Sequence, residues 1–98
     1  MGLNVGRSVL KAQKLLKITL QYSDERVQSV QVRGDFFMHP EENLELLEKK
    51  LEGCPLEREE LEARANEFLQ TAQVFGFDQK SLAEAILQAA GKSKPPTA

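Results

Sequence analysis

Val30-Gln31-Val32-Arg33-Gly34-Asp35-Phe36-Phe37-Met38-His39-Pro40 is where two local patterns of this chain meet. Before Gly34 apolar residues alternate with polar ones, as in a strand with one wet face, and beyond Pro40 the apolar spacing becomes helical. The stretch is therefore a strand-to-helix corner. It sets Asp35 beside two consecutive phenylalanines. Successive strand side chains point to opposite faces, so Phe36 and Phe37 do not both enter one core if the strand is regular. One of the two rings then needs a second apolar environment, which a partner protein would supply.

Toward the N-terminus, Val27 to Arg33 reads as a strand with Val30 and Val32 on one face and Ser29, Gln31 and Arg33 on the other. Val27 is out of phase with that pair, so either it faces the opposite side or a bulge near Gln28 returns it to the core. Ser23-Asp24-Glu25-Arg26 interrupts the pattern without the glycine that a two-residue hairpin turn favours, which predicts a longer loop. Leu16 to Tyr22 alternates again and is a second strand. Two strands alone are marginal in water, so a third is expected from Phe36-Phe37-Met38 or from the N-terminal segment. Residues 1–8 read as a flexible lead-in, and Val9 and Leu10 either continue it or open a short edge strand.

Toward the C-terminus the spacing predicts three helices. The first spans about Glu41 to Glu52, with Pro40 suited to its first position, Leu44, Leu47 and Leu51 as its buried stripe, and Gly53 and Pro55 ending it. The second runs from about Glu57 to Phe75, with Leu61, Ala65, Phe68, Leu69, Ala72 and Phe75 along one side and Gly76 as its stop. A third begins near Asp78 or Ser81, where Ser81-Leu82-Ala83-Glu84 has the form of a capping box, buries Leu82, Ile86 and Leu87, and ends at Gly91. Residues 92–98 read as a disordered tail. A small antiparallel sheet followed by helices packed on one face is an α+β arrangement.

The 98 residues suit one domain, expected over residues 9–91. A net charge of -2 supplies no cationic surface of the size that phosphate or nucleic-acid binding would need. A lone cysteine, Cys54, forms no internal disulfide, and no apolar run approaches a membrane span. These features predict a soluble protein of the cytoplasm. No cluster of glycines precedes a helix to cradle a phosphate. Cys54 and the single histidine, His39, provide too little for a four-ligand zinc site or a Cys-His-acid set, so no catalytic and no metal-binding residue is predicted. Glu41, Glu42, Glu45, Glu48, Glu52, Glu59, Glu60 and Glu62 read as solvated charge on helix faces. Asp35 opens toward free N–H groups at the corner, which suits either a side-chain-to-backbone turn bond or a place on a partner surface. Lys11, Lys14 and Lys17 recur every three residues, a spacing that a continuous strand would divide between its faces.

The run Val30 to Met38, then Pro40-Glu41-Glu42, then Leu47-Glu48-Lys49-Lys50-Leu51-Glu52-Gly53, resembles the C-terminal accessory domain of lipoate-protein ligases. In that family a strand ends in Gly-Asp-Phe-Phe and a helix ends in Leu-x-Gly. Lys14-Leu15-Leu16-Lys17-Ile18 is similar to the family's first strand, and the likeness extends over about Lys11 to Leu87. Gln13 stands where the family often has glycine, and Glu25 where an Asp-Gly turn is usual. The resemblance implies a fold shared with iron-sulfur scaffolds and SufE-type sulfur acceptors. It further implies a non-catalytic accessory subunit of a two-part ligase, docked on a catalytic subunit that holds lipoate, ATP and Mg and serves lipoyl-accepting domains. No cofactor would be bound by this chain. The implied partner contact is Gly34, Asp35, Phe36 and Phe37, with Lys14 near substrate. Two alternatives stay open: a sulfur or iron-sulfur carrier using Cys54, and a structural adaptor for another enzyme.

Overall fold

The computed structural model describes residues 2–11, 13–39, 42–71 and 73–92, with the backbone alone at 37–39 and 73. Lys92, the first residue of the tail expected at 92–98, is held in place, its N–H donating to the Leu87 carbonyl at 2.8 Å and its ammonium pairing with Glu25, while residues 93–98 and the helix entry at Pro40 and Glu41 lie outside the described residues. Strands β1 (Asn4–Lys11), β2 (Leu15–Ser23) and β3 (Arg26–Gly34) form an antiparallel sheet in the order β1-β2-β3. The N-terminal segment thus supplies the third strand, and it does so from Asn4, within the stretch expected to be a lead-in. Phe37–His39 (β4) joins a different partner, β5 (Gln73–Phe75), in a two-stranded ribbon.

The turn between β2 and β3 is tighter than the missing glycine suggested. Ser23 pairs with Arg26, and the two residues between them, Asp24 and Glu25, have φ of 53° and 61°. Two positive φ values are what a type I′ hairpin turn requires, and its twist matches that of the strands. The register shifts between Gln21 and Tyr22, so that Tyr22 opposes Val27 while Gln21 opposes Ser29. Gln28 is the extra residue of a bulge, and Val27 is buried as a result.

Helices α1 (Asn43–Leu51), α2 (Arg58–Leu69) and α3 (Gln79–Ala89) cover one face of the sheet. Leu16, Ile18, Leu20, Val30 and Val32 on the sheet meet Leu47 and Leu51 of α1, Leu61, Ala65 and Phe68 of α2, and Leu82 and Ile86 of α3 in one core. The second helix ends at Leu69, short of the expected Phe75. Gln73-Val74-Phe75 is β5, because a β-branched and aromatic run that finds an unpaired strand gains a ladder there. Phe75 is consequently 64% exposed instead of buried. Asp78, and not Ser81, caps α3: its carboxylate accepts from the Ser81 N–H at 2.8 Å and the Ser81 hydroxyl at 2.7 Å.

The outer edge of β3 is covered at both ends. Val27 exchanges backbone bonds with Cys54 and Gly53, and the half-buried Glu48, expected as solvated charge, accepts from the Val32 N–H at 2.8 Å and from Arg33. A carboxylate on an open strand edge satisfies a backbone donor and hinders further pairing.

Candidate functional site

The corner after β3 is assembled from three chain segments, residues 14–16, 34–37 and 75–77. The Asp35 N–H donates to the Leu15 carbonyl at 3.0 Å, and the Lys14 N–H donates to the Gly76 carbonyl at 3.0 Å. These two bonds tie the end of β3 to the start of β2, and the β1–β2 turn to the end of β5. Two glycines make the approach possible. Gly34, at φ 146°, lies so close to the Leu15 carbonyl that a Cβ would stand 2.1 Å from its oxygen. At Gly76, with φ 124°, a Cβ would meet the Phe36 Cβ at 2.8 Å and the Lys14 side-chain stem at 3.0 Å. Side chains other than hydrogen fit neither place.

Phe36 lies half-buried against the core with its ring edge-to-face on Phe77, centroids 4.9 Å apart and planes at 87°. This geometry suits the aromatic quadrupole and locks the corner to the residue preceding the cap of α3. Asp35 and Lys14 are exposed. Among the described residues the Asp35 side chain makes no hydrogen bond, so the expected side-chain turn bond is replaced by a backbone one. The β4 backbone carries Phe37 opposite Phe75, but the Phe37 and His39 side chains lie outside the described residues. Four of the predicted residues, Lys14, Gly34, Asp35 and Phe36, are therefore neighbours in space. Phe75 belongs beside them through Gly76 and was missed as a surface residue. Its signal was a short Val-Phe run closed by glycine, which fits a strand as well as the last turn of a helix.

Cys54 is fully buried at the edge of β3, and burial, the largest influence on it, pushes the thiol up and away from the reactive thiolate. No group of His, Cys, Asp or Glu among the described residues is arranged to hold a metal. An open groove of about 380 Å³ runs between the β3 edge and α1, lined by Val30 and the polar stems of Glu45, Glu48, Lys49 and Glu52. Its carboxylates outnumber its one cation, which disfavours an anionic ligand.

Residues 15–86 match the family model described as the bacterial lipoate protein ligase C-terminus. The chain belongs to this family. Among similar proteins, this lipoate ligase C-terminal domain is 39% identical over 49 residues to "Lipoate-protein ligase A subunit 2" of Thermoplasma acidophilum. The alignment takes in 49% of this chain and 52% of that relative, about half of each. A solved structure described as an archaeal lipoylation system, a bi-partite lipoate protein ligase and its E2 lipoyl domain from the same organism, contains a chain of the same fold. The two superpose with a TM-score of 0.71 at 27% identity, over 90% of this chain and 96% of the other. No helix among the described residues is long and apolar enough to cross a membrane.

Proposed function

We propose that the chain is the accessory subunit of a two-part lipoate-protein ligase and works by docking on the catalytic subunit. The observation that carries this reading is the family match over residues 15–86, joined to a relative named as subunit 2 of lipoate-protein ligase A and to a chain of the same fold in a solved bi-partite ligase. On this reading the catalytic subunit, in the cytoplasm, binds lipoate, ATP and Mg, forms lipoyl-AMP, and passes the lipoyl group to acceptor domains. The unit, whose sheet begins at Asn4 and not at the expected residue 9, contributes no nucleophile or base. It closes over the activated acyl-adenylate, excluding water and ordering the loops around it. The kinship with iron-sulfur scaffolds and SufE-type acceptors is one of architecture in this reading.

The contact is centred on Gly34, Asp35, Phe36 and Phe37, extended by Phe75, with Lys14 toward the substrate. An aromatic that stands 64% exposed beside a corner built on two tight glycine approaches supports that placement. A carrier role for Cys54 draws no support from a thiol that is fully buried. The test is to mix the purified chain with the catalytic subunit encoded in the same genome and to follow pyrophosphate release from ATP with lipoate. Stimulation together with co-elution is expected. Failure of both overturns the reading.

A further inference from the structure

We infer that the helix-free face of the three-stranded sheet is a docking surface for a carboxylate-rich face of the catalytic subunit, an inference that rests on the accessory-subunit reading above. Alternation identifies the face. On β1, Ser8 donates its hydroxyl to the Ala85 carbonyl of α3 at 2.6 Å and Leu10 packs on the core, so Val5, Arg7, Val9 and Lys11 point the other way. On β2 and β3 the same face receives Lys17 and Arg33, since Ile18 and Val32 are buried among the helices.

Register gathers these side chains. Val9 opposes Lys17 and Lys17 opposes Arg33, a transverse row across all three strands, while Arg7 and Lys11 flank Val9 on the same face of β1. The chain has 15 acidic and 13 basic residues, yet none of the strand positions on this face is acidic. The segregation runs against the net charge. Only Arg33 has an ion-pair partner among the described residues, Glu48 at 2.8 Å across the strand edge. Arg33 is compensated there by Glu48, so Arg7, Lys11 and Lys17 are the charges left on this face for partner carboxylates. Two apolar side chains, Val5 at 55% and Val9 at 61% exposure, stand among the cations.

Dimensions select the occupant. Arg7 and Lys11 are four residues apart, about 13 Å, and Val9 to Arg33 spans two strand spacings, about 10 Å. A single phosphate is too small to bridge such a flat array, whereas a protein surface matches it. The Lys17 and Arg33 row lies at the sheet end where Leu16 opposes Gly34, so it is continuous with the corner at Asp35. One acidic partner surface can therefore cover both.

Association with the catalytic subunit is measured by stopped flow and surface resonance over a salt series, for the wild-type chain, Arg7→Glu/Lys17→Glu, Arg7→Gln/Lys17→Gln and Phe75→Asp. Both side chains altered in the charge variants, Arg7 and Lys17, are exposed, and unchanged thermal melts confirm their folding. The charge-reversed variant is expected to associate at least about tenfold more slowly than wild type at low salt, the neutral variant to fall between, and high salt to remove the difference. Phe75→Asp is expected to act on dissociation instead. A wild-type chain that neither binds nor stimulates the catalytic subunit overturns the accessory reading itself. Normal stimulation with charge variants indistinguishable from wild type overturns the present inference alone. So does a charge-dependent self-association in sedimentation, or a charge-dependent affinity for duplex DNA, without a change in binding to the catalytic subunit.

Discussion

Asp78 shows how much one side chain decides locally. Its carboxylate takes two hydrogen bonds from Ser81 at the open end of α3, and these, led by the backbone bond, hold it below the ordinary 3.8. A depressed carboxylate contributes stability above its unfolded value and loses it as pH falls through the folded one. Asp78→Ala should therefore cost about 1 kcal/mol in urea unfolding at about pH 7, and the gap from wild type should close only below 3.8. Cys54 argues in the opposite sense, since its thiol is fully buried and its neighbourhood raises it. Cys54→Ser should lose about 1–3 kcal/mol, the cost of a buried hydroxyl that finds no partner, while wild-type Cys54 should react with a disulfide reagent only as fast as the chain unfolds. Fast labelling of the folded chain would contradict that placement. Both residues were visible in the sequence as helix-end positions. Which of Asp78 and Ser81 caps was not, because each has an oxygen within reach of free N–H groups and the local letters alone fit either.

At the scale of elements, the β3 edge and the corner carry the energetics. Glu48 is the acceptor for the Val32 N–H at 2.8 Å, so Glu48→Ala strands a backbone donor. A loss of about 1–2 kcal/mol and faster hydrogen exchange at the Val32 amide should follow, with Glu48→Gln closer to wild type because its carbonyl oxygen still accepts. Gly34→Ala puts a Cβ 2.1 Å from the Leu15 oxygen at φ 146°. Crowding and backbone strain together should cost about 3 kcal/mol or more, read as a lowered melting temperature and loss of the Asp35–Leu15 bond in amide exchange. An alanine variant as stable as wild type would mean that the corner is looser than described. The strands β2 and β3 and the cores of all three helices follow from periodicity. The ribbon of β4 and β5 does not, since a run as short as Gln73-Val74-Phe75 has no periodicity of its own and takes its state from the strand it meets.

For the whole molecule, a single sheet with helices on one side leaves the other side to solvent or to a partner, and the exposed Phe75 lies at the end where the chain closes on itself. Phe75→Ala should weaken binding to the catalytic subunit by about 2 kcal/mol or more while leaving the melting temperature unchanged, as measured by titration calorimetry and thermal denaturation. A large loss of stability would instead return Phe75 to the core. By itself the sequence determined the α+β class, the order of the main elements, the buried stripes and the family likeness, because side-chain period and Gly or Pro punctuation act through near neighbours. Tertiary structure alone decided that the N-terminal residues complete the sheet from Asn4, that Phe36 turns inward onto Phe77, and that Phe75 leaves the second helix for a strand and faces out. Those outcomes depend on which distant backbone or ring is available to pair with, and pairing energy between remote segments is set only once the core has brought them together.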